Sequence, residues 1–182
     1  MQRSAGPVAF WLVPSEPIRA VLSTCIESFA SKYTAPAFTP HVTLMTGHCS
    51  EPVSTQSCER VLARAAEGSP PFEVRVSGAS HSDFFFKTVF LEIAPDDALT
   101  ALRERVRAEF EAAGGIISDK PFEPHLSLIY KRASEAERHE IVSEVVAPEV
   151  IVCDALAVVV PSSAGWEDVA AWRELRREPL GG

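Results

Sequence analysis

Positive charge is the first thing in short supply. Seventeen Lys and Arg face 25 Asp and Glu, for a net charge of −8 over 182 residues. Proteins that grip long nucleic acids without regard to sequence present a basic surface, so tight binding of long RNA or DNA is not expected. A small phosphorylated ligand, which needs only a few local donors, stays possible. Long apolar runs are missing too. None approaches the ~20 residues that span a bilayer, and no membrane association is expected. Met1 to Pro7 holds one Arg and no long apolar stretch, unlike a secretory signal, and a cytoplasmic location is expected by default. The four cysteines (Cys25, Cys49, Cys58, Cys153) form no Cys-x-x-Cys. They are expected as reduced thiols, and Cys49 and Cys58 are not spaced like zinc-ribbon ligands.

What remains is ordinary globular material, 46% hydrophobic and 23% charged. The length suits one domain over residues 1–182, or one domain built from two similar halves. Val8 to Val13 reads as a buried strand ended by Pro14. Ser15, as N-cap, opens a helix to about Lys32, with Pro17 in its first turn. A proline-rich connection leads to a strand at His41–Met45. Then come a helix over Ser54–Ala66, a strand at Glu73–Ser77, a turn, and a longer strand over Phe84–Ile93. A helix over Pro95–Ala113 is closed by Gly114-Gly115. A strand at Phe122–Tyr130, a helix at Ser134–Val146, a strand at Val150–Val160 and a last strand near Val169–Leu175 complete an α+β pattern.

One segment is written twice. "AFTPHVTLMTG" (Ala37–Gly47) and "PFEPHLSLIYK" (Pro121–Lys131) superpose on their histidines, 84 positions apart. Phe, Pro, His and one Leu coincide, and Thr43 answers Ser127. In a strand, residues i and i+2 share a face. His41 with Thr43, and His125 with Ser127, therefore point to an open side, while Val42, Leu44, Leu126 and Leu128 point to the core. Two halves related by an approximate two-fold would set both pairs around one cleft. That set suits phosphodiester hydrolysis: one imidazole activates water, the other protonates the leaving oxygen, and two hydroxyls hold the non-bridging oxygens. No metal or other cofactor is demanded.

The pair His41-Val-Thr43-Leu and His125-Leu-Ser127-Leu resembles the two His-x-Thr/Ser motifs of the 2H phosphoesterase superfamily. With "FFFKTVFLEI", the early Trp and the length, the chain is similar to the plant and yeast cyclic phosphodiesterases from about Val8 to Trp172. The resemblance implies a bilobal fold of two pseudo-symmetric lobes, each an antiparallel sheet with outer helices, around a central cleft. It implies metal-independent hydrolysis of ADP-ribose 1″,2″-cyclic phosphate and of nucleoside 2′,3′-cyclic phosphates to 2′-phosphates. It gives His125 the role of base, which leaves His41 as acid. The expected partner is a small cyclic-phosphate nucleotide, and the chain is expected to be a monomer. Two other readings are an RNA 2′,3′-cyclic phosphodiesterase acting on RNA ends and a non-catalytic nucleotide-binding module.

Further residues carry weaker expectations. Tyr130 aligns with a tyrosine bordering the family's site, although a regular strand turns it away from Ser127. Phe84, Phe85 and Phe86 are consecutive, so at least one faces outward; Phe84 and Phe86 are candidates to stack a base. Trp11 is a candidate for the cleft floor or the core. His48 and His81 are expected in turns, and a zinc site from His41, His48 and His125 lacks a completing carboxylate or Cys. Lys87, Lys131 and Arg132 are candidate phosphate-steering cations, and Arg103, Arg105 and Arg107 are expected on an exposed helix face.

Overall fold

Alternate side chains of the first strand part company. Val8, Phe10 and Leu12 enter the main core, whereas Ala9, Trp11 and Val13 join a smaller cluster with Ala155, Ala157 and Val159. This is the period-2 alternation of an extended chain with apolar residues on both sides, so the strand is covered on both faces. Each fully buried Leu or Phe contributes about 1.5–3 kcal/mol relative to exposure. The computed structural model describes residues 6–49 and 55–181.

The strands are β1 (Gly6–Pro14), β2 (Val42–Cys49), β3 (Phe72–His81), β4 (Val89–Ile93), β5 (Gly115–Ile117), β6 (His125–Ile129), β7 (Val150–Val160) and β8 (Arg173–Pro179). The helices are α1 (Ile18–Tyr33), α2 (Thr55–Ala66), α3 (Asp97–Ala112) and α4 (Glu135–Ser143). Every strand pairing among them is antiparallel. The order β1-β2-β6-β4-β3-β7-β8, with β1 also paired to β7, bends the sheet into a ring, and β5 extends β2. Among the described residues no helix is long and apolar enough to cross a membrane.

The ring is one continuous sheet rather than the separate sheet expected in each lobe, and the helices mark its two lobes. Helices α2 and α3 pack on β2, β5, β7 and β8, while α1 and α4 pack on β1, β6, β3 and β4. Each apolar helix face goes to the sheet, as in Leu22, Ile26, Phe29 and Ala30 of α1 and Leu99, Leu102, Val106 and Phe110 of α3. Asp96 caps α3 by accepting from the Leu99 N–H, and Ser134 caps α4 by accepting from the Glu137 N–H. At Gly47, which β5 crosses closely, a Cβ would fall 2.6 Å from the Ile116 carbonyl oxygen.

Several boundaries differ from the sequence expectation. Helix α1 starts at Ile18 rather than at Ser15, whose hydroxyl donates instead to the Val152 carbonyl at 3.2 Å. Ser54, the expected start of α2, lies outside the described residues. Strand β3 runs on to His81, so this histidine ends a strand rather than sitting in a turn. The expected strand over Phe84–Ile93 is broken, because Phe85–Lys87 forms a 3-10 turn. There the Ser82 and Thr88 hydroxyls donate to the Lys87, Phe85 and Lys131 carbonyls and take over the backbone pairing. Val169–Ala171 is likewise a 3-10 turn, and the last strand begins at Arg173. All four cysteines are free thiols, with the Cys49 and Cys58 sulfurs 3.0 Å apart.

Candidate active site

Strands β2 and β6 meet with Val42 opposite Leu126. Both of these side chains are fully buried. Their neighbours His41, Thr43, His125 and Ser127 turn the other way and line one cleft of about 450 Å³. The two motifs are thus related by a local two-fold through the Val42–Leu126 pair.

The symmetry extends to the strands alongside. Trp11 stands opposite Thr43, and Phe90 stands opposite Ser127. Trp11 stacks flat on His41, with centroids 3.6 Å apart and planes 10° apart. Phe90 meets His125 edge-on at 5.5 Å. The register breaks at equivalent places as well. Phe10 pairs with Met45 while Trp11 pairs with Thr43, which leaves Leu44 as an extra residue. Val89 pairs with Ile129 while Phe90 pairs with Ser127, which leaves Leu128 extra. Each motif therefore ends in a β-bulge, which reverses the facing of the residues beyond it.

That reversal explains two misplaced residues. Tyr130, expected on the face opposite Ser127, lines the cleft, and its hydroxyl lies 3.5 Å from His41 Nε2. His48, expected in a turn, lies in β2 and also lines the cleft, together with Thr46. A bulge arises from pairing with a strand distant in sequence, so the alternation of β2 or β6 read alone gives no signal of it.

Both imidazoles are held the same way. His41 Nδ1 pairs with the Thr39 carbonyl at 2.6 Å, and His125 Nδ1 pairs with the Glu123 carbonyl at 2.7 Å. A carbonyl can only accept, so each Nδ1 carries the proton and each Nε2 presents its lone pair to the cleft, that of His41 beside the Tyr130 hydroxyl. Pro40 and Pro124 stand between these carbonyls and the histidines. A proline pushes the residue before it into an extended conformation, and this accounts for the repeated x-Pro-His.

The two histidines differ in surroundings. His41 is 5% exposed, beneath Trp11 and edge-on to Phe38 and Trp172. Burial pushes its pKa down to about 3; the Thr39 carbonyl opposes this and the His125 charge adds to it. His125 is half-buried. Burial lowers its pKa too, opposed by the Glu123 carbonyl and assisted by the Lys87 ammonium. Burial also raises the Tyr130 phenol, so it stays protonated. The Ser127 hydroxyl donates to the Phe86 carbonyl at 2.7 Å, whereas the Thr43 hydroxyl has no partner among the described residues.

Around this centre the walls divide by chemistry. One end is aromatic: Phe84, Phe86, Tyr130, Trp166 and Trp172 all line it, and Trp11 makes its floor. Trp172 sits within 5.7 Å of both Trp11 and Tyr130, centroid to centroid. Trp11, Tyr130, Phe84 and Phe86 therefore all line the cleft, Tyr130 on the side that a regular strand would deny it. Trp166 and Trp172 join them from a connection whose pattern carries no such signal.

The cations are not those expected. Lys87 pairs with Glu123, Lys131 with Glu137 and Arg132 with Glu167, and none of the three lines the cleft. Arg103 and Lys120 line it instead. Arg103, expected on an exposed face, has a side chain only 12% exposed. Its Nε donates to the carbonyl of the bulge residue Leu44, and its guanidinium lies over the Phe122 ring at 4.5 Å. Its position gives a signal, because it is four residues after Leu99 and three before Val106 on the inward stripe of α3. Arg105 is exposed as expected, and it donates to the Glu67 carbonyl and the Ser69 hydroxyl beyond α2.

The model of the family described as cyclic phosphodiesterase-like protein matches residues 7–172. The chain belongs to that family. With its paired His-x-hydroxyl motifs it is a 2H phosphoesterase. A cyclic phosphodiesterase of Arabidopsis thaliana is 27% identical over 128 residues, which cover 70% of this chain and 67% of that protein. E. coli LigT, solved with 3′-AMP, superposes with a TM-score of 0.65 at 19% identity, covering 98% of this chain and all of LigT. TT0787 of Thermus thermophilus gives 0.61 at 19% identity, over 97% of this chain and 98% of its own. At that identity the two structures establish that this cyclic phosphodiesterase-like chain shares their fold.

Proposed function

We propose that the protein is a phosphodiesterase that opens cyclic phosphates, taking nucleoside 2′,3′-cyclic phosphates to 2′-phosphates and ADP-ribose 1″,2″-cyclic phosphate to ADP-ribose 1″-phosphate. One observation carries the reading: two imidazoles with unprotonated Nε2 atoms and two hydroxyls meet across a local two-fold on one cleft. The family membership and the Arabidopsis relative support the reaction class.

In this mechanism His125, the more open histidine, meets the incoming water. Its Nε2 takes a proton from that water as the water oxygen bonds to phosphorus. The bond from phosphorus to O3′ breaks, and His41 Nε2–H gives its proton to O3′. The product is the 2′-phosphate, and solvent exchange restores both protons. Thr43 and Ser127 donate to the non-bridging oxygens, where transition-state charge gathers. His41 rests uncharged, so it acquires its proton together with the substrate. An anionic phosphate beside a buried imidazole raises its pKa more than it raises that of a wetter one, because the dielectric is lower there. The aromatic end offers ring faces to a nucleobase.

The test is hydrolysis of a nucleoside 2′,3′-cyclic phosphate in excess EDTA, with the product identified by chromatography, for wild type, His41→Ala and His125→Ala. EDTA-resistant formation of the 2′-phosphate, lost in both variants, is expected. A wild type inert on this substrate and on ADP-ribose 1″,2″-cyclic phosphate would sink the proposal.

A further inference from the structure

The cleft has three regions, and the proposed hydrolysis uses only two. Farther along β2 than the motif histidine, and beside Phe122, the cleft is lined by Thr46, His48, Ser118, Lys120 and Arg103. The Ser118 N–H donates to the Thr46 carbonyl, which fixes the connection after β5 against β2. Arg103 is held by the Leu44 carbonyl through Nε and by Glu104 through Nη1; no described residue accepts from Nη2. Lys120 has no ion-pair partner among the described residues. Glu123, the one carboxylate among the described residues lining the cleft, is paired with Lys87. In a chain of net charge −8 this end of the cleft is locally cationic. A largely buried guanidinium with an unused donor, facing open space, suits an anion.

Building on the cyclic phosphodiesterase reading, we infer that Arg103 and Lys120 bind a second phosphoryl group, carried on the 5-oxygen of the ribose that bears the cyclic phosphate. A nucleoside 2′,3′-cyclic phosphate sends its substituents three ways, the base at C1′, the cyclic phosphate on C2′ and C3′, and C5′ beyond, whereas an ADP-ribose 1″,2″-cyclic phosphate keeps the last two. The cleft answers with ring faces, the histidine pair and a cationic end. A 5′-phosphomonoester, the 5′-phosphodiester of an RNA end and the diphosphate of an ADP-ribose derivative share this chemistry. The preferred substrate therefore bears that group, and a bare nucleoside cyclic phosphate fills the cleft only in part.

Calorimetric titration of 2′-AMP and adenosine 2′,5′-bisphosphate into wild type, Arg103→Met and Lys120→Met tests this. The bisphosphate is expected to bind wild type about tenfold tighter or more, with the advantage shrinking as salt is raised. Arg103→Met should cut the advantage to about threefold or less, and Lys120→Met should reduce it in the same direction. Arg103 also holds a strand carbonyl, so the Lys120 variant guards against a purely structural effect. Equal affinities in wild type, or an advantage untouched in both variants, would overturn the inference. Because the readout is binding, it is separable from the hydrolytic reading: an intact bisphosphate advantage with no turnover of any cyclic substrate sinks that reading and leaves the subsite. The kcat/KM values for a 5′-phosphorylated nucleoside cyclic phosphate, a dinucleotide ending in one and ADP-ribose 1″,2″-cyclic phosphate then assign the source by which gains most over the bare nucleoside form.

Discussion

Val42 faces Leu126 where the two lobes join, and the whole reacting set is arranged about that pair. Two buried aliphatic side chains anchor the junction in the core, and the polar residues on either side of each have only the cleft to face. The duplicated segment thus becomes a two-fold site. Its two halves differ in burial, and both the symmetry and that difference have measurable consequences.

Replacing either histidine by alanine should lower kcat by about 10²–10⁴-fold, the usual worth of one positioned acid or base. The double variant should be little worse than the poorer single one, because the two act in one step. Steady-state turnover of a cyclic nucleotide checks both. Losses that multiply would mean that the histidines act independently.

The two hydroxyls should not be equal. Ser127 must give up its bond to the Phe86 carbonyl to serve a phosphate, whereas Thr43 has no such bond to break. Thr43→Val should reduce kcat/KM by about 10²–10³-fold, as expected for a lost transition-state donor. Ser127→Ala should cost distinctly less. A larger loss at Ser127 would show that its bond to Phe86 is not the resting state of the working enzyme.

His41 should remain uncharged through neutral and mildly acidic pH and titrate only near pH 3. The unfolded chain, with a pKa of about 6.5, binds the proton first. Folding stability is therefore full above about pH 6.5 and falls as pH drops from there toward 3. Urea unfolding at pH 7 and pH 5 should differ by on the order of 1–2 kcal/mol from this residue, a difference removed in His41→Gln. NMR titration of the imidazole protons reports the pKa directly.

If the acid takes its proton from solvent as the substrate binds, 2′-AMP binding near pH 7 should draw protons from the medium. Calorimetry in two buffers of different ionisation enthalpy measures the number. An uptake near zero would mean that the bound phosphate does not charge His41 and would count against its role as the acid.

Tyr130→Phe preserves the stack on Phe38, with centroids 3.8 Å apart, and removes only the hydroxyl beside His41. A loss of about 2–12-fold in kcat is expected, equivalent to one hydrogen bond. Trp11→Ala should be far more damaging. Emptying a buried indole site costs about 3–5 kcal/mol, and water entering beside His41 should return its pKa toward the ordinary value. Thermal unfolding and the same NMR titration separate the two effects.

The amino-acid sequence alone determined the α+β class, the position of all four helices to within a few residues, and the identity of the paired motifs. These are local properties: apolar period, capping residues and a segment repeated closely enough to see. It also set the facing of His41, Thr43, His125 and Ser127, since alternation holds for the first four residues of each motif, through the buried Leu44 and Leu128. Beyond those leucines, the facing of the chain was decided by the tertiary structure alone. The extra residues Leu44 and Leu128 exist because β1 and β4, remote in sequence, pair out of step with β2 and β6. Those two bulges bring Thr46, His48 and Tyr130 into the cleft, and the Leu44 carbonyl draws Arg103 in after them. Register between distant strands is settled by what the whole core can pack and which backbone groups find partners, and neither is written in any single stretch of the chain.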